Sequence, residues 1–497
     1  MNEAARHREA GADAVPLLTA KNLAAWTGGR WRGGRRPASI AGASIDSRHL
    51  EPGALFFAIA GDRRDGHAFV EAAFAAGAAG AVVAPGYGVS AAPGPLLEVD
   101  DPRRALRAAA EGYRAAVDPI VVGVTGSAGK STVKELTAAM LGRRWRTART
   151  PGNWNNALGV PLSLLAMPPD TEAAVLELAT NHPGEIEMLS ALARPSIGIV
   201  TAIGAVHTAF FECVEAIAHE KAALLRALPG DGLAVLNLDS GWIDILREHV
   251  SCGLRTVRGP AGRHDLARRG ASPDEEGAPG RPADYVCTEW EPGTRRAAVT
   301  DGPAGRTEHL AVPLPGRHSV VNVLLAAAVA RRLGLDWDDV RSGLACFEGM
   351  PMRWAVRRVG HWRAINDAYN ANPLNMRASI GCFAEDDDAS GKWLVLGGML
   401  ELGVREADEH DALGRFIARW DWDGLVTVGE LGARLADGAA AAGMARERIA
   451  RCPDAAAAAA ELRKRAPGGG AVLVKGSRQF RLEDVITELE QPPGGRE

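Results

Sequence analysis

Pro119-Ile-Val-Val-Gly-Val-Thr-Gly-Ser-Ala-Gly-Lys-Ser-Thr132 is the stretch on which the fold turns. Its opening, Pro119 to Val124, is a short apolar run of the kind that forms a buried strand. Gly123-Val-Thr-Gly-Ser-Ala-Gly-Lys-Ser-Thr132 then reads as a Gly-rich turn, and a long helix pattern follows. Glycines let a backbone wrap closely around phosphate oxygens. Successive N–H groups and the start of a helix favour an anion. Lys130 would bring a positive charge to the outer phosphates, and the Ser131 hydroxyl is placed for Mg²⁺. The common spacing G-x-x-x-x-G-K-[ST] is met except at its first glycine, where Val124 stands between Gly123 and Gly126. A chance Gly-Lys-Ser in a loop is the alternative, and the strand-before, helix-after setting weighs against it. By itself the loop speaks for nucleotide phosphates and says nothing about a reaction.

Outward from this loop, the chain divides into three blocks. Its 497 residues suggest about three domains at roughly 150 residues each. The first block, 1–118, carries Ser44-Ile-Asp-Ser-Arg48, the apolar run Ala54–Ile59, Asp65-Gly-His67, an alanine-rich helical stretch Ala68–Ala79 and Ala81-Val-Val. The second, 119–342, adds strand candidates Ala174–Leu178, Ile197–Thr201 and Leu233–Asn237 with helical patterns between them, and a helix pattern Ser319–Leu333. Such alternation argues for a parallel sheet covered by helices. Gly259–Pro282, rich in Gly, Pro, Arg and Asp, reads as a surface excursion. The third, 343–497, has strand candidates Arg363–Asp367, Trp393–Leu396, Leu425–Val428 and Ala471–Val474 separated by helices, one through Ala455–Ala460. It reads as a smaller Rossmann-like α/β domain.

Composition excludes several classes. Lys+Arg 57 against Asp+Glu 61 leaves a net charge of -4, with no basic surplus for nucleic acid or an anionic membrane. Met1 to Val15 is polar and lacks the apolar run of a secretory signal. No uninterrupted apolar stretch of about 18 residues offers a membrane span. Cys213, Cys252, Cys287, Cys346, Cys382 and Cys452 are scattered, which suits a reducing cytoplasm better than a disulfide framework or zinc site.

The landmarks around the phosphate loop resemble those of the Mur ligase family. Thr125-Gly-Ser-Ala-Gly-Lys-Ser131 is similar to the shifted phosphate loop T-G-x-x-G-K-[ST] of that family. In the expected order come Gly152-Asn-Trp-Asn-Asn156, Leu176-Glu-Leu178, Asn181-His-Pro-Gly-Glu-Ile186, Ala205-Val-His207 and Glu220-Lys221. Gly316-Arg-His318, Met352-Arg353, Asp367-Ala-Tyr-Asn-Ala-Asn-Pro373 and Leu473-Val-Lys-Gly-Ser-Arg478 complete the set. The similarity runs from Asp46 to about Glu488. Tyr369–Pro373 and Val474–Arg478 resemble the branch that joins D-alanyl-D-alanine to UDP-N-acetylmuramoyl-tripeptide. The resemblance implies a three-domain α/β architecture, with a central P-loop ATPase-like parallel-sheet domain and a C-terminal Rossmann-like domain.

It also implies a chemistry. A carboxylate is a poor electrophile, and transfer of the ATP γ-phosphoryl group makes an acyl phosphate that an amine can attack. Such a site must gather anions and neutralise developing charge. The resemblance assigns ATP contacts to Gly126, Ser127, Ala128, Gly129, Lys130, Ser131, Thr132, Asn322, Arg353, Asp367, Tyr369 and Asn370. Asp367 would face the ribose and Arg353 the phosphates. Ser131, Glu177, His207 and Lys221 become candidate Mg²⁺ ligands, with Lys221 carbamylated, and Lys130, Glu177, His207 and Lys221 the catalytic set. A carboxylate such as Glu177 in an apolar strand is costly unless paired or metal-bound. A lone histidine and a helix lysine are otherwise ordinary structural or solvated residues.

Ser47, Arg48, Asp65 and His67 match D-[ST]-R and D-G-H landmarks, which imply a pocket for the uridine diphosphate end. Asn153, Asn155, Asn156, Asn181 and His182 would touch the muramoyl substrate. Asn372, Lys475 and Arg478 would bind the dipeptide. The expected enzyme is cytoplasmic and monomeric. The pattern departs from the family at Ala179-Thr180, Thr208, Ser319, Asn375 and Gly398, and leaves Lys130, Glu177, His207 and Lys221 in place. A relative joining another amino acid or peptide, and a catalytically weak binding protein of this type, are the competing readings.

Overall fold

The computed structural model describes residues 17–61, 64–87, 93–260, 281–386 and 391–491. The polar stretch Met1–Val15 and nearly all of the Gly259–Pro282 excursion lie outside the described residues. The chain is α/β throughout and forms two compact units. One takes in residues up to 123 with 144–179 and 188–196, and the other residues 124–143, 180–187 and 197 onward.

In the first unit, five short strands lie in the order Arg30–Arg32, Leu96–Glu98, Gly80–Val83, Leu55–Phe57, Ala43–Ser44. All neighbours are parallel except the first pair. Leu55, Phe56 and Phe57 are all buried, as the unbroken apolar run Ala54–Ile59 requires of a strand covered on both faces. The helical stretch expected over Ala68–Ala79 is shorter than its alanines suggest. A 3-10 turn, Gly66–Phe69, leads into Val70–Ala75 and ends before Gly77, whose φ is +93°. A long helix, Pro102–Val117, starts with the side chain of Asp101 accepting from the N–H groups of Arg103 and Arg104 and with proline in its first turn. Strand Ala173–Glu177 pairs in parallel with Thr147–Arg149.

In the second unit, Ile197–Val200, Leu233–Asn237 and Gly253–Arg258 form a parallel set. Beyond these strands, in a stretch where the sequence reading placed no strand, Tyr285–Glu291, Arg296–Asp301 and Arg306–Ala311 form an antiparallel meander. The cause is local. Pro292-Gly-Thr-Arg295 and Gly302-Pro-Ala-Gly305 are tight polar links, too short for the helical crossover that parallel neighbours need.

The third sheet has the order Ala355–Val359, Trp362–Asn366, Gly470–Lys475, Lys392–Leu396, Gly424–Val428, Ile449–Cys452. Only its first pair, a hairpin, is antiparallel. Alternate residues along its strands feed two separate cores. Ala364, Trp393, Val395, Val472 and Val474 pack on one face with Leu462 and Val485. Ile365, Leu394, Leu396, Ala471 and Leu473 pack on the other with Phe383, Leu413 and Leu435. That two-sided covering is why these strands read as continuous apolar runs. The helix Trp337–Ala345 precedes this sheet and runs through position 342/343.

Phe383 is fully buried and stacks on Trp422 with ring centroids 5.8 Å apart. Phe383→Ala should therefore lower the stability of this sheet domain by roughly 3–5 kcal/mol. Urea unfolding followed by tryptophan fluorescence checks this, and an unchanged midpoint would mean the ring is not a core element.

Candidate functional site

The site is built on the phosphate loop. Strand Ile120–Thr125 ends where Gly126 takes φ +146°, and Gly129 takes φ +85° to cap the helix Lys130–Leu141. No side chain caps that helix start, and the first N–H groups of a helix favour an anion. A Cβ on Gly126 would sit 2.0 Å from Thr201 Oγ1, and one on Gly129 2.8 Å from Asn322 Oδ1. The loop is tied from beneath. Ser127 N–H donates to Ala202 O at 2.7 Å, Ser127 Oγ to Gly204 O at 3.1 Å, and the Thr201 hydroxyl to Ala128 O. The Lys130 ammonium donates to Gly126 O at 2.7 Å and so lies back over the loop.

Residues far along the chain converge on this turn. Arg353 donates to Ser131 Oγ at 2.9 Å while its guanidinium lies 4.2 Å from the Tyr369 ring centroid. Asn372 donates through Nδ2 to Ser127 O at 3.3 Å, and also caps the helix Pro373–Ala384 in a reciprocal capping box with Asn375. Asn322 is buried in the helix Arg317–Arg332. Ala128 and Thr132 complete the loop and the first turn of its helix.

Lys221, in the helix Val214–Arg226, is almost wholly buried. Burial, with the Lys130 charge beside it, pushes its ammonium down to about 7. His207 adopts φ +54°, and burial holds its imidazole below the ordinary histidine value against the pull of Glu401. Asn181 and His182 offer their backbone N–H groups to Glu185 Oε2 at 2.7 and 2.9 Å. The His182 ring rests 4.4 Å from that of Phe210.

Glu177 ends its strand at 2 % exposure. Its backbone N–H donates to Thr150 Oγ1 at 2.9 Å, and its Oε1 accepts from Asn155 Nδ2 at 2.9 Å. Its Oε2 is buried without a hydrogen-bond partner. A bare carboxylate oxygen in an apolar setting is costly and marks a place for a cation or donor. Asn156 Oδ1 accepts from Leu158 and Gly159 N–H, a helix-start role, while Asn153 is exposed.

Four expected binding groups, Lys475, His67, Arg48 and Arg478, have protein partners in this arrangement. The Lys475 ammonium is buried and donates to Asp367 Oδ2 at 2.7 Å, Asp367 O at 3.3 Å and Asn370 O at 3.2 Å. Asp367 also accepts from Ser379 Oγ and Trp354 N–H. Lys475, expected to meet the dipeptide carboxylate, is thus a buried strut whose ammonium is held by Asp367 and Asn370. His67 likewise has both ring nitrogens in use, Nδ1 with Asp65 at 2.7 Å and Nε2 accepting from Ala84 N–H at 2.9 Å. Arg48 pairs with Asp46 on an exposed 3-10 turn that includes Ser47, and this pairing holds the Asp46 carboxyl far below the usual carboxylate range. Arg478 pairs with Glu483 and reaches Met352 Sδ at 3.2 Å.

Glu220, quoted as a landmark without a role, and Glu401 have contacts next to expected site residues. Glu220 accepts from Gly184 and Ile186 N–H, both at 2.8 Å, and so fixes the turn after Asn181 and His182. Its place beside Lys221 was the available signal. Among the described residues no group of three or more His, Cys, Asp or Glu side chains gathers as a metal site.

The chain matches three family models in order. They are the Mur ligase family catalytic domain over residues 39–114, the Mur ligase middle domain over 124–330, and the Mur ligase glutamate ligase domain over 352–478. It is 33% identical over 460 residues to the UDP-N-acetylmuramoyl-tripeptide--D-alanyl-D-alanine ligase of Bacillus subtilis, covering 91% of this chain and 94% of the relative. A crystal structure of MurF from Acinetobacter baumannii superposes with a TM-score of 0.81 at 29% identity, over 95% of this chain and 99% of that one. MurF ligase from Thermotoga maritima in complex with ADP superposes at 0.73 with 26% identity, over 91% and 97%.

The phosphate loop yields a test that needs no knowledge of the reaction. Gly126→Ala places a methyl group against Thr201 and a side chain at φ +146°, displacing the loop amides. Binding of ATP, measured by calorimetry, should weaken by about tenfold or more, the worth of one charge-assisted hydrogen bond. Unchanged affinity would mean the loop does not hold the phosphates.

Proposed function

The chain belongs to the Mur ligase family, and from that premise we infer that it joins D-alanyl-D-alanine to UDP-N-acetylmuramoyl-tripeptide at the expense of ATP. The observation that carries this reading is the 33% identity to a ligase of that name across 91% of the chain. The reaction belongs to the making of peptidoglycan precursors. ATP as the nucleotide is supported by the ADP bound to the Thermotoga maritima relative and by the shape of the phosphate loop. Among the described residues no helix is long and apolar enough to cross a membrane. A monomeric cytoplasmic enzyme is the form we propose.

In this reading the chain is organised as 1–118 for the UDP-linked precursor, 119–342 for ATP and 343–497 to complete the ligase site. Loop amides between Gly126 and Thr132, other than that of Ser127, which donates to Ala202 O, hold the β- and γ-phosphates together with the Lys130 ammonium once it turns from Gly126 O. Arg353, already at Ser131 and stacked on Tyr369, adds charge on the phosphate side. Asn322, Asp367 and Asn370 serve the nucleoside end, Asp367 doing so on release of one of its present partners. Ser47, Arg48, Asp65, His67, Asn153, Asn155, Asn156, Asn181 and His182 form the precursor side, several of them by holding turns. Asn372, Lys475 and Arg478 shape the dipeptide side.

The chemistry follows from the need to activate a carboxylate. An oxygen of the tripeptide carboxylate attacks the γ-phosphorus, the bond to the β-phosphate oxygen breaks, and ADP leaves. The free amine of D-alanyl-D-alanine attacks the acyl carbon, the carbon–oxygen bond to phosphate breaks, and a proton leaves the nitrogen. Positioning and charge neutralisation do most of this work.

Mg²⁺ suits Glu177 and Ser131, each by its own chemistry, since Glu177 Oε2, buried without a hydrogen-bond partner, and the Ser131 hydroxyl are both hard oxygen donors and Mg²⁺ takes few protein carboxylates besides phosphate and water oxygens. When bound it would neutralise phosphate charge. His207 and Lys221 would serve the same ion set. The lowered basicity of Lys221 leaves much of its amine neutral near pH 7, the form that adds CO₂ to become a carbamate.

Purified protein with ATP, Mg²⁺, UDP-N-acetylmuramoyl-tripeptide and D-alanyl-D-alanine should give a UDP-linked pentapeptide with matching ADP and phosphate, read by mass spectrometry. No product from either a diaminopimelate- or a lysine-containing acceptor, with ATP bound, would overturn the substrate assignment. Lys130→Ala and Glu177→Gln should each lower turnover by about 10²- to 10³-fold without unfolding the chain. Full turnover in either variant would remove that residue from the mechanism.

A further inference from the structure

His207 and Glu401 face each other from loops 194 positions apart, and both are non-glycine residues in the left-handed backbone region, at φ +54° and +63°. Strain of that kind persists only where surrounding contacts over-determine it. Here the contacts come in three. His207 Nδ1 meets Glu401 Oε2, Ala209 N–H donates to Glu401 O at 3.1 Å, and the buried Thr208 hydroxyl donates to Leu402 O at 2.8 Å. Gly403, at φ +55°, lets the second loop pass the first, since a Cβ there would lie 3.0 Å from Ala209 Cα. The two loops are thus joined through side chain and backbone at once.

The side-chain contact has a chemical consequence. A carboxylate at Nδ1 accepts a hydrogen bond from that nitrogen and so keeps the proton there. In a neutral imidazole the lone pair then belongs to Nε2. A nitrogen that binds a divalent cation, or that takes up a proton, needs that lone pair. An imidazole without such a partner favours the opposite tautomer in water.

We propose that Glu401 is a positioning residue that holds His207 as its Nδ1–H tautomer, with Nε2 presented as the working nitrogen, and that the 207–209 and 401–403 loops form one unit for this purpose. The proposal rests on the reading of His207 as a site residue. It assigns a role to the Leu400-Glu-Leu-Gly403 segment beyond packing. Glu401 acts through His207, so its loss falls on turnover more than on substrate affinity. Outer partners of this type are worth about 10- to 100-fold.

The test combines a spectrum with kinetics. Protein with ¹⁵N-labelled histidine is examined by two-dimensional NMR without metal or substrates, the His207 ring signals being identified by their loss in His207→Gln. Wild type should show a protonated Nδ1 and a bare Nε2. Glu401→Ala should move His207 toward the Nε2–H tautomer and lower kcat by about 10- to 100-fold, with KM for ATP changed much less. Glu401→Gln keeps an acceptor oxygen at the same reach, and should keep the Nδ1–H tautomer and most of the rate. A wild-type Nε2–H tautomer overturns the proposal, as does wild-type kcat in Glu401→Ala or equal loss in the Ala and Gln variants. The spectra need no turnover, so they judge the contact even if the chain makes no pentapeptide, an outcome that would count against the ligase reading alone.

Discussion

Everything in the ATP-side architecture depends on a turn whose backbone must present N–H groups outward while its carbonyls and hydroxyls are held from behind. Gly126 and Gly129 supply left-handed conformations that other residues would adopt only under strain. Thr201, Asn322 and the 202–204 segment fill the space a side chain would need, and in doing so tie down the loop. The result is an anion site fixed before any anion arrives, the arrangement in which dipoles need no reorganisation during reaction. Arg353 and Asn372 meet the same turn from beyond residue 350, so the segments around the last sheet are coupled to this turn through named hydrogen bonds.

The expense of this design is visible in the buried ionisable groups. Lys475 is compensated in full, with Asp367 and Asn370 taking up its donors. Burial lowers the proton affinity of Lys475 and Lys221 alike, and only Lys475 has an acidic side chain hydrogen-bonded to its ammonium. Glu177 keeps one oxygen bare. A purely structural interior favours complete pairing, as at Lys475. Incomplete pairing at Glu177 and altered basicity at Lys221 are features that a ligand or modification would complete.

Most strand positions were legible because strands covered on both faces have unbroken apolar runs. Leu233–Asn237 and Lys392–Leu396 are examples. The antiparallel meander over 285–311 was not, since Arg296–Asp301 and Arg306–Ala311 alternate polar with small residues and show no strong period. At the site, residues whose chemistry depends on local sequence were readable: the glycines and Lys130 of the loop, and Glu177 by its apolar neighbours. Partners set by tertiary contact were not. Nothing near Lys475 in the chain announces Asp367, 108 positions away, and nothing near His207 announces Glu401.

The departures from the family pattern bear on whether this fold still works as an enzyme. Asn375 completes the capping box that fixes Asn372. Thr208 anchors the loop after His207 to Leu402, and Ser319 donates to Pro315 O at 2.7 Å. At Gly398 a Cβ would fall 2.4 Å from Leu431 Cβ, so this backbone has closed around the glycine and leaves no room for an aspartate. Each of these four changes has found a packed or hydrogen-bonded place. A chain kept only as a scaffold has no reason to retain a nearly buried lysine of altered basicity, a bare carboxylate oxygen and two strained residues facing each other. All three features lower stability, and their joint persistence is accounted for by chemistry performed on bound substrates.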